Sequence, residues 1–318
     1  MGRLFTLPEL FKNHEYSDQL DATIQVVERA GIAVMDVLDG ASSRDLGDVR
    51  LKGGIVGNIQ TNGDRRSSDE ISRSHQEFLP GIPRVDEEIP ETHDLRSRVN
   101  EYTIYDPIDS SNDFHVSIMS KLEGRLLNEV LADFNRFNWS VQVAHVKRRK
   151  GEDGVLRGKV VYAVGYRPLY NDLVIALEGV GAVSITEYTR RVLTPTDDQE
   201  IVLLASRRRY MGTKLPELVN ALGREHTVRY MSGSWRAVEV ARGNGTVYCS
   251  PPGNMMKVWD VPLGELMIQE VKGRCSDVFG NEVDHLGPIE IGDKGLLYTA
   301  NAHLHKIFLS AGRNVFRN

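Results

Sequence analysis

The segment YTIYDPIDSSNDF at 102–114 constrains the fold more than any other stretch of the chain. Its aromatic and β-branched start, Tyr102 to Tyr105, reads as a strand running into Asp106-Pro107. The small hydroxyl residues that follow open a helix. Two acids at the end of a strand, Asp106 and Asp109, ahead of helix amides have a specific use. Carboxylates hold Mg²⁺, a hard cation that prefers oxygen ligands and shares them with phosphate. The backbone N–H groups of Ser110 and Ser111 at a helix start cradle an anion. The plainer alternative is that Asp109 or Ser110 caps the helix. Spacing alone leaves both open.

Two further acidic sites bear on that choice. Asp86-Glu87-Glu88 lies upstream, and Trp259-Asp260 lies far downstream ahead of a helix. Taken singly, the first is a solvated loop and the second a helix cap or first-turn acid. Brought to one place, separate carboxylates repel each other, and a divalent cation is the usual remedy.

The rest of the chain frames these motifs. Apolar residues Ile24, Val27, Ile32, Met35 and Leu38 recur at helical spacing and predict a helix over 20–38. Residues 44–66 read as loop or hairpin, and 67–79 as a short helix ended by Pro80-Gly81. Leu122, Leu126, Val130, Phe134 and Phe137 share one helical face within 115–137. Strands are expected over 139–146, 160–166 and 173–177. From 201 onwards strands (201–205, 226–231, 246–250) alternate with helices (214–222, 237–242, 261–271). That change of character places a boundary between an α+β half, 1–183, and an α/β half, 184–318.

A length of 318 residues fits two domains or one large one at roughly 150 residues per domain. Acids outnumber Lys plus Arg by 44 to 39, so no global attraction to a nucleic acid polymer or an anionic membrane is expected. No apolar run approaches the roughly 18 residues that span a bilayer, and the N-terminal stretch lacks a leader pattern. Cys249 and Cys275 have no metal-ligand spacing, and they read as apolar packing residues. A cytoplasmic enzyme is the expectation.

Taken together, Glu87-Glu88, DPIDSSNDF at 106–114 and VWDVPLGELMIQEVKG at 258–273 resemble the inositol monophosphatase superfamily of Mg²⁺-dependent phosphomonoesterases. Three further stretches are similar to the family's strand pair with its Gly-x-Gly-Ala turn, its Gly-Ser helix and its C-terminal helix entry. They are VVYAVGYRPLYNDLVIALEGVGA at 160–182, SGSWRAVEVARGNGTVYCSP at 232–251 and GLLYTANAHLHKIFLS at 295–310. The resemblance implies a layered αβαβα sandwich of the inositol monophosphatase and fructose-1,6-bisphosphatase type. It implies two or three Mg²⁺ ions ligated by Glu87, Asp106, the Ile108 carbonyl, Asp109 and Asp260, with the Ser110 and Ser111 amides on the substrate phosphate. Attack would be in line, by a metal-activated water, with no covalent phosphoenzyme. Ser111 stands at the threonine that helps orient this water, and Asp69 is the candidate for its acidic partner.

The chain also departs from the family pattern. Ser110 occupies the usual glycine, Asp113 the usual asparagine, and 115–137 reads as an insertion, either a lid or a packing and dimer element. The resemblance implies a homodimer and a small phosphorylated substrate, a polyol, sugar or nucleoside phosphate. The runner-up is a 3′-phosphoadenosine 5′-phosphate type of nucleotidase. Its support is Arg236, near a basic position of the family's bisphosphate nucleotidases, and Arg207 in Arg207-Arg208-Arg209; the alternatives for these are a helix arginine and a solvated basic loop. A catalytically silent protein that binds a phosphorylated ligand is the reading from outside the enzymes.

Overall fold

The computed structural model describes residues 3–52, 58–132, 137–151, 154–187, 189–194, 196, 200–206 and 210–316. The chain divides into two compact units. The first comprises 1–145, 164–175 and 184–190, and the second 146–163, 176–183 and 191–318.

In the first unit, helix α1 (Ser17–Asp39) buries Ile24, Val27 and Leu38 of the expected stripe together with Leu20 and Val34, while Ile32 and Met35 are only half-buried. A Cβ at Gly31 would lie 2.5 Å from the Tyr166 ring, so glycine is what lets α1 seat there. Short helix α2 (Ser43–Gly47) precedes β1 (Arg50–Leu51), which pairs antiparallel with β2 (Ile59–Gln60). Helix α3 (Asn62–Phe78) starts five residues before its predicted start at 67. The reason is a capping box: the Thr61 side chain accepts from the Asp64 amide, and Asp64 accepts from the Thr61 amide.

A seven-stranded sheet runs in the order β3 (Arg84–Asp86), β4 (Glu101–Asp109), β5 (Ser140–Lys150), β6 (Leu156–Arg167), β7 (Asp172–Leu177), β8 (Gly181–Ile185) and β9 (Arg190–Val192). Short helix α4 (Leu95–Arg98) lies between β3 and β4 in the chain. Strands β3 and β4 are parallel, with Val85 opposite Ile104 and Asp86 opposite Tyr105. That register carries the acids after β3 alongside those that end β4, and the Glu87 N–H donates to the Tyr105 carbonyl (3.2 Å).

Residues 115–137 do not form the single helix that their periodicity predicts. Helix α5 (Ser111–Leu122) stops at Glu123-Gly124, where Gly124 takes φ +68°, and α6 (Leu126–Ala132) follows. Phe114, Ile118, Leu126, Phe137 and Trp139 share one buried cluster with Val34, Leu38 and Ile108. Phe134 lies outside the described residues.

The second unit holds a five-stranded sheet of order β11 (His226–Tyr230), β10 (Ile201–Ala205), β12 (Val247–Ser250), β14 (Leu296–Thr299) and β13 (Arg274–Ser276). Strands β10, β11 and β12 are parallel, as the strand–helix alternation leads one to expect, while β13 and β14 run antiparallel at the other edge. Leu203, Val247, Cys249 and Leu297 from the sheet pack with Leu218 and Val219 of α7 (Leu215–Ala221) and with Leu304 and Phe308 of α10 (Ala302–Phe316). Helices α8 (Arg236–Ala241) and α9 (Pro262–Glu270) complete this unit.

Cys249 is buried, and burial pushes its thiol up to about 12, which fits a packing role. His305 sits between the Ser276 hydroxyl (3.0 Å) and the Thr299 hydroxyl (3.1 Å), a structural position. No helix among the described residues is long and apolar enough to cross a membrane.

Candidate active site

The C-terminal end of β4 gathers the acids of the first unit. Asp106 and Asp109 are 2% and 7% exposed, and carboxylate oxygens of the two lie within 4.8 Å of each other. Proline at 107 is accommodated here while its carbonyl accepts from the Ser67 hydroxyl of α3 (2.8 Å). The chain then turns through Ser110, whose φ of +69° and ψ of +49° are left-handed. A side chain resists that conformation, and it is where the family pattern has glycine. The Ser110 carbonyl accepts from the amides of Asp113 (2.8 Å) and Phe114 (3.2 Å), which closes the first turn of α5. The N–H groups that open the helix point along its axis toward the strand end, the usual setting for an anion.

The strain predicts a measurable gain. Ser110→Gly raises the unfolding free energy by about 0.5–1 kcal/mol, the balance of relieved strain and a freer unfolded chain. Urea denaturation with chelator present reads it, and an unchanged or lower midpoint contradicts the strain argument.

Ser111 is held by α3. Its hydroxyl donates to Asp64 Oδ1 (2.7 Å), with the Ile108 carbonyl also within reach (3.2 Å). Asp64 is fully buried, and its other oxygen accepts from the Thr61 amide (2.7 Å) and hydroxyl (2.5 Å). Burial pushes the Asp64 carboxyl up, against the opposing pull of Lys52 and of these hydrogen bonds. Close approach of α3 requires Gly63: a Cβ there would lie 2.3 Å from Phe114 and 2.9 Å from Ile108. Asp69 stands on the exposed side of α3. The structure therefore pairs Ser111 with Asp64 and not with Asp69.

Sequence reasoning passes over Asp64. The signal that marks it is Thr61-x-x-Asp64, a capping box placed just ahead of the helix.

Glu87 and Glu88, after β3, both pair with the Lys52 ammonium, at 2.8 Å and 2.5 Å. Burial opposes the charge on Lys52, yet Glu87, Asp64 and Glu88 together hold it protonated above its ordinary value. Burial raises Glu88 to about 7 despite Lys52, and raises Asp86 to about 6. Lys52 is a further residue that sequence reasoning leaves aside.

Asp260 belongs to the second unit, where its carboxylate accepts from the Lys257 amide (2.7 Å) just before α9. Arg236 is 4% exposed, within its own unit. Its guanidinium donates to the Gly233 carbonyl (2.7 Å) and the Tyr248 hydroxyl (3.2 Å) and lies 4.3 Å from the Tyr248 ring centroid. It is thus engaged in holding the α8 entry to β12. Trp235 is fully buried, with its indole N–H on Glu239 (3.1 Å). Arg207 lies outside the described residues.

Buried oxygen donors fit a hard divalent cation. Two carboxylates this close and this dry are unfavourable side by side without a compensating charge, and all their ligand atoms are oxygen.

The model of the inositol monophosphatase family matches residues 19–314. The 3′(2′),5′-bisphosphate nucleotidase CysQ of Shigella flexneri is 24% identical over 266 residues, 84% of this chain and 93% of its own length. An IMPase of Thermotoga maritima superposes with a TM-score of 0.67 at 19% identity, over 94% of this chain and 98% of that one. The 2′AMP-bound SaIMPase-II gives a TM-score of 0.63 at 19% identity, over 93% of each chain. At such identities the structural likeness establishes the fold, a layered arrangement of helices and mixed sheets.

Proposed function

Since the chain belongs to the inositol monophosphatase family and is a phosphoric monoester hydrolase, we propose that it hydrolyses the phosphate monoester of a small polyol, sugar or nucleoside with Mg²⁺ as its cofactor. The observation that carries this reading is the pair Asp106 and Asp109, buried together at the end of β4 beside the first turn of α5. Glu87, the Ile108 carbonyl and Asp260 are the further ligands we assign. Bound divalent cation would supply positive charge for the phosphoryl oxygens and make a water acidic enough to attack at neutral pH.

The chain's own groups do the rest. The Ser110 and Ser111 amides take the phosphate at the helix start, where partial positive charge favours it. Ser111 donates to Asp64, which orients its oxygen lone pairs to accept from a water on the other side. Asp64, raised by burial, then takes a share of the proton that the water gives up. In-line attack needs no nucleophilic side chain, in keeping with the buried, protonated Cys249.

A 3′-phosphoadenosine 5′-phosphate type of nucleotidase is the second reading, favoured by the CysQ relatives. The 2′AMP carried by one structural neighbour is likewise a nucleoside phosphate monoester. Phosphate release from a panel of inositol, sugar and nucleotide phosphates separates the readings. Preference for inositol, sugar or nucleoside monophosphates supports the first, preference for 3′,5′-bisphosphates the second, and release from neither class overturns both.

We also assign a homodimer, with Val116, Met119 and Leu122, which form an exposed stripe on α5 (37%, 42% and 40%), as its contact. Light scattering on Met119→Glu is expected to give the monomer mass where the parent gives the dimer. A dimer that survives the substitution places the contact elsewhere.

A further inference from the structure

The turn that carries Asp109, strained Ser110 and Ser111 is held from outside at both of its ends by the start of one strand. The Asn138 amide, two residues ahead of β5, donates to Asp113 Oδ2 (3.1 Å). Gln142 Nε2, in β5, donates to Asp109 Oδ2 (3.1 Å) and to Ser140 Oγ (2.9 Å). Two acids four residues apart thus meet two donors four residues apart. The clamp is itself anchored: the Asn138 side-chain carbonyl accepts from Arg167 (3.0 Å), whose guanidinium donates through Nε to Asp172 (3.1 Å). Asn138, Ser140, Gln142, Arg167 and Asp172 are each at most 2% exposed.

Gln142 is the informative member. Ser140 and Gln142, two apart on a strand, share a face, while Val141 and Val143 take the other. A buried amide is costly unless its hydrogens are accepted. Here the two hydrogens of one NH₂ group have two acceptors, and this fixes which end of the amide faces Asp109. A carboxylate otherwise turns over a broad torsional range. With Oδ2 held by Gln142, the plane of the Asp109 carboxylate is set before any ligand arrives.

We propose that Gln142 is a positioning residue for Asp109: its side-chain amide fixes the rotation of that carboxylate and thereby sets the affinity of the site for a divalent cation. The inference rests on the metal-site reading above and deepens it. Partners of this kind, one bond removed from a metal, typically control affinity by about 10–100-fold.

Calorimetric titration of the full chain with Mg²⁺ tests it, alongside Gln142→Met, which keeps volume and removes the donor. The expected result is a Kd about 10–100-fold weaker. The melting temperature measured with chelator stays close to the parent's, and kcat recovers at saturating Mg²⁺. A residue that merely fills space is replaced by methionine without loss of affinity. Should Gln142→Met fail to fold, Gln142→Asn, whose amide falls one methylene short, is expected to weaken Mg²⁺ in the same range. Parent and folded variant binding Mg²⁺ within twofold of each other overturns the role of Gln142 and leaves the metal site standing. A parent that binds no Mg²⁺ overturns both.

Discussion

Asp109→Asn is expected to lower Mg²⁺-dependent phosphate release by about a thousandfold or more while the protein stays folded. The side chain is 7% exposed at the end of β4, with a carboxylate oxygen within 4.8 Å of Asp106. The amide has the same shape, so the core around Ile108 and Phe114 is undisturbed. Its effect on charge is what matters. Gln142 donates to Asp109 Oδ2, so the substituted amide satisfies it only by presenting its own carbonyl there and placing its NH₂ group where Oδ1 stood. A ligand oxygen is then replaced by a hydrogen-bond donor. A loss of several kcal/mol of transition-state stabilisation follows, at about 1.4 kcal/mol per factor of ten. Steady-state release with circular dichroism as the folding control reads it. A folded variant that keeps a tenth of parental activity removes Asp109 from the proposed ligands.

Asp64→Asn is the second large effect, a fall in kcat of about 10²–10³, the range of a positioned acid–base group. KM is expected to change little, because Asp64 reaches the reaction through Ser111 and not through the substrate. An asparagine still accepts from Thr61 with its carbonyl, but its NH₂ then faces the Ser111 hydroxyl and turns that group around. Ser111→Ala is expected to fall in the same range. Combining it with Asp64→Asn should add little, as for two members of one relay. Asp69→Asn, on the exposed side of α3, serves as the contrast and is expected to stay within twofold of the parent. Equal losses at Asp64 and Asp69, or a loss at Asp69 alone, would contradict the assignment.

The strand that carries Asp106 and Asp109 and the helix that opens at Ser111 are legible in the sequence because each announces itself locally. An aromatic, β-branched run leads into the two acids, and small hydroxyl residues follow. The parallel alternation in the second unit is legible for the same reason, since its strands are short apolar runs and its helices carry apolar spacing. Asp64 is not legible by the same route. The polar run 64–69 directs attention to its last acid, whereas the helix begins at Asn62 because a capping box holds its first turn. Residues 115–137 mislead in another way. Their apolar period continues across Gly124, but a glycine at positive φ ends α5 and lets α6 start afresh. Arg236 shows the limit of reading charge as surface. A tyrosine on β12 offers it a ring and a hydroxyl, and a nearby carbonyl offers a third contact. Nothing in the local sequence states that such partners wait across the fold. Gln142 belongs with these: its meaning depends on the turn that β4 places beside it.

In the proposed mechanism a divalent cation held by these carboxylates drives hydrolysis of a phosphate monoester. The most direct test is phosphate release by the purified chain from the preferred panel substrate, first with Mg²⁺, then after chelator, then with Mg²⁺ restored in excess. Activity is expected to be lost with chelator and regained on restoration. Release that continues undiminished in chelator would contradict it.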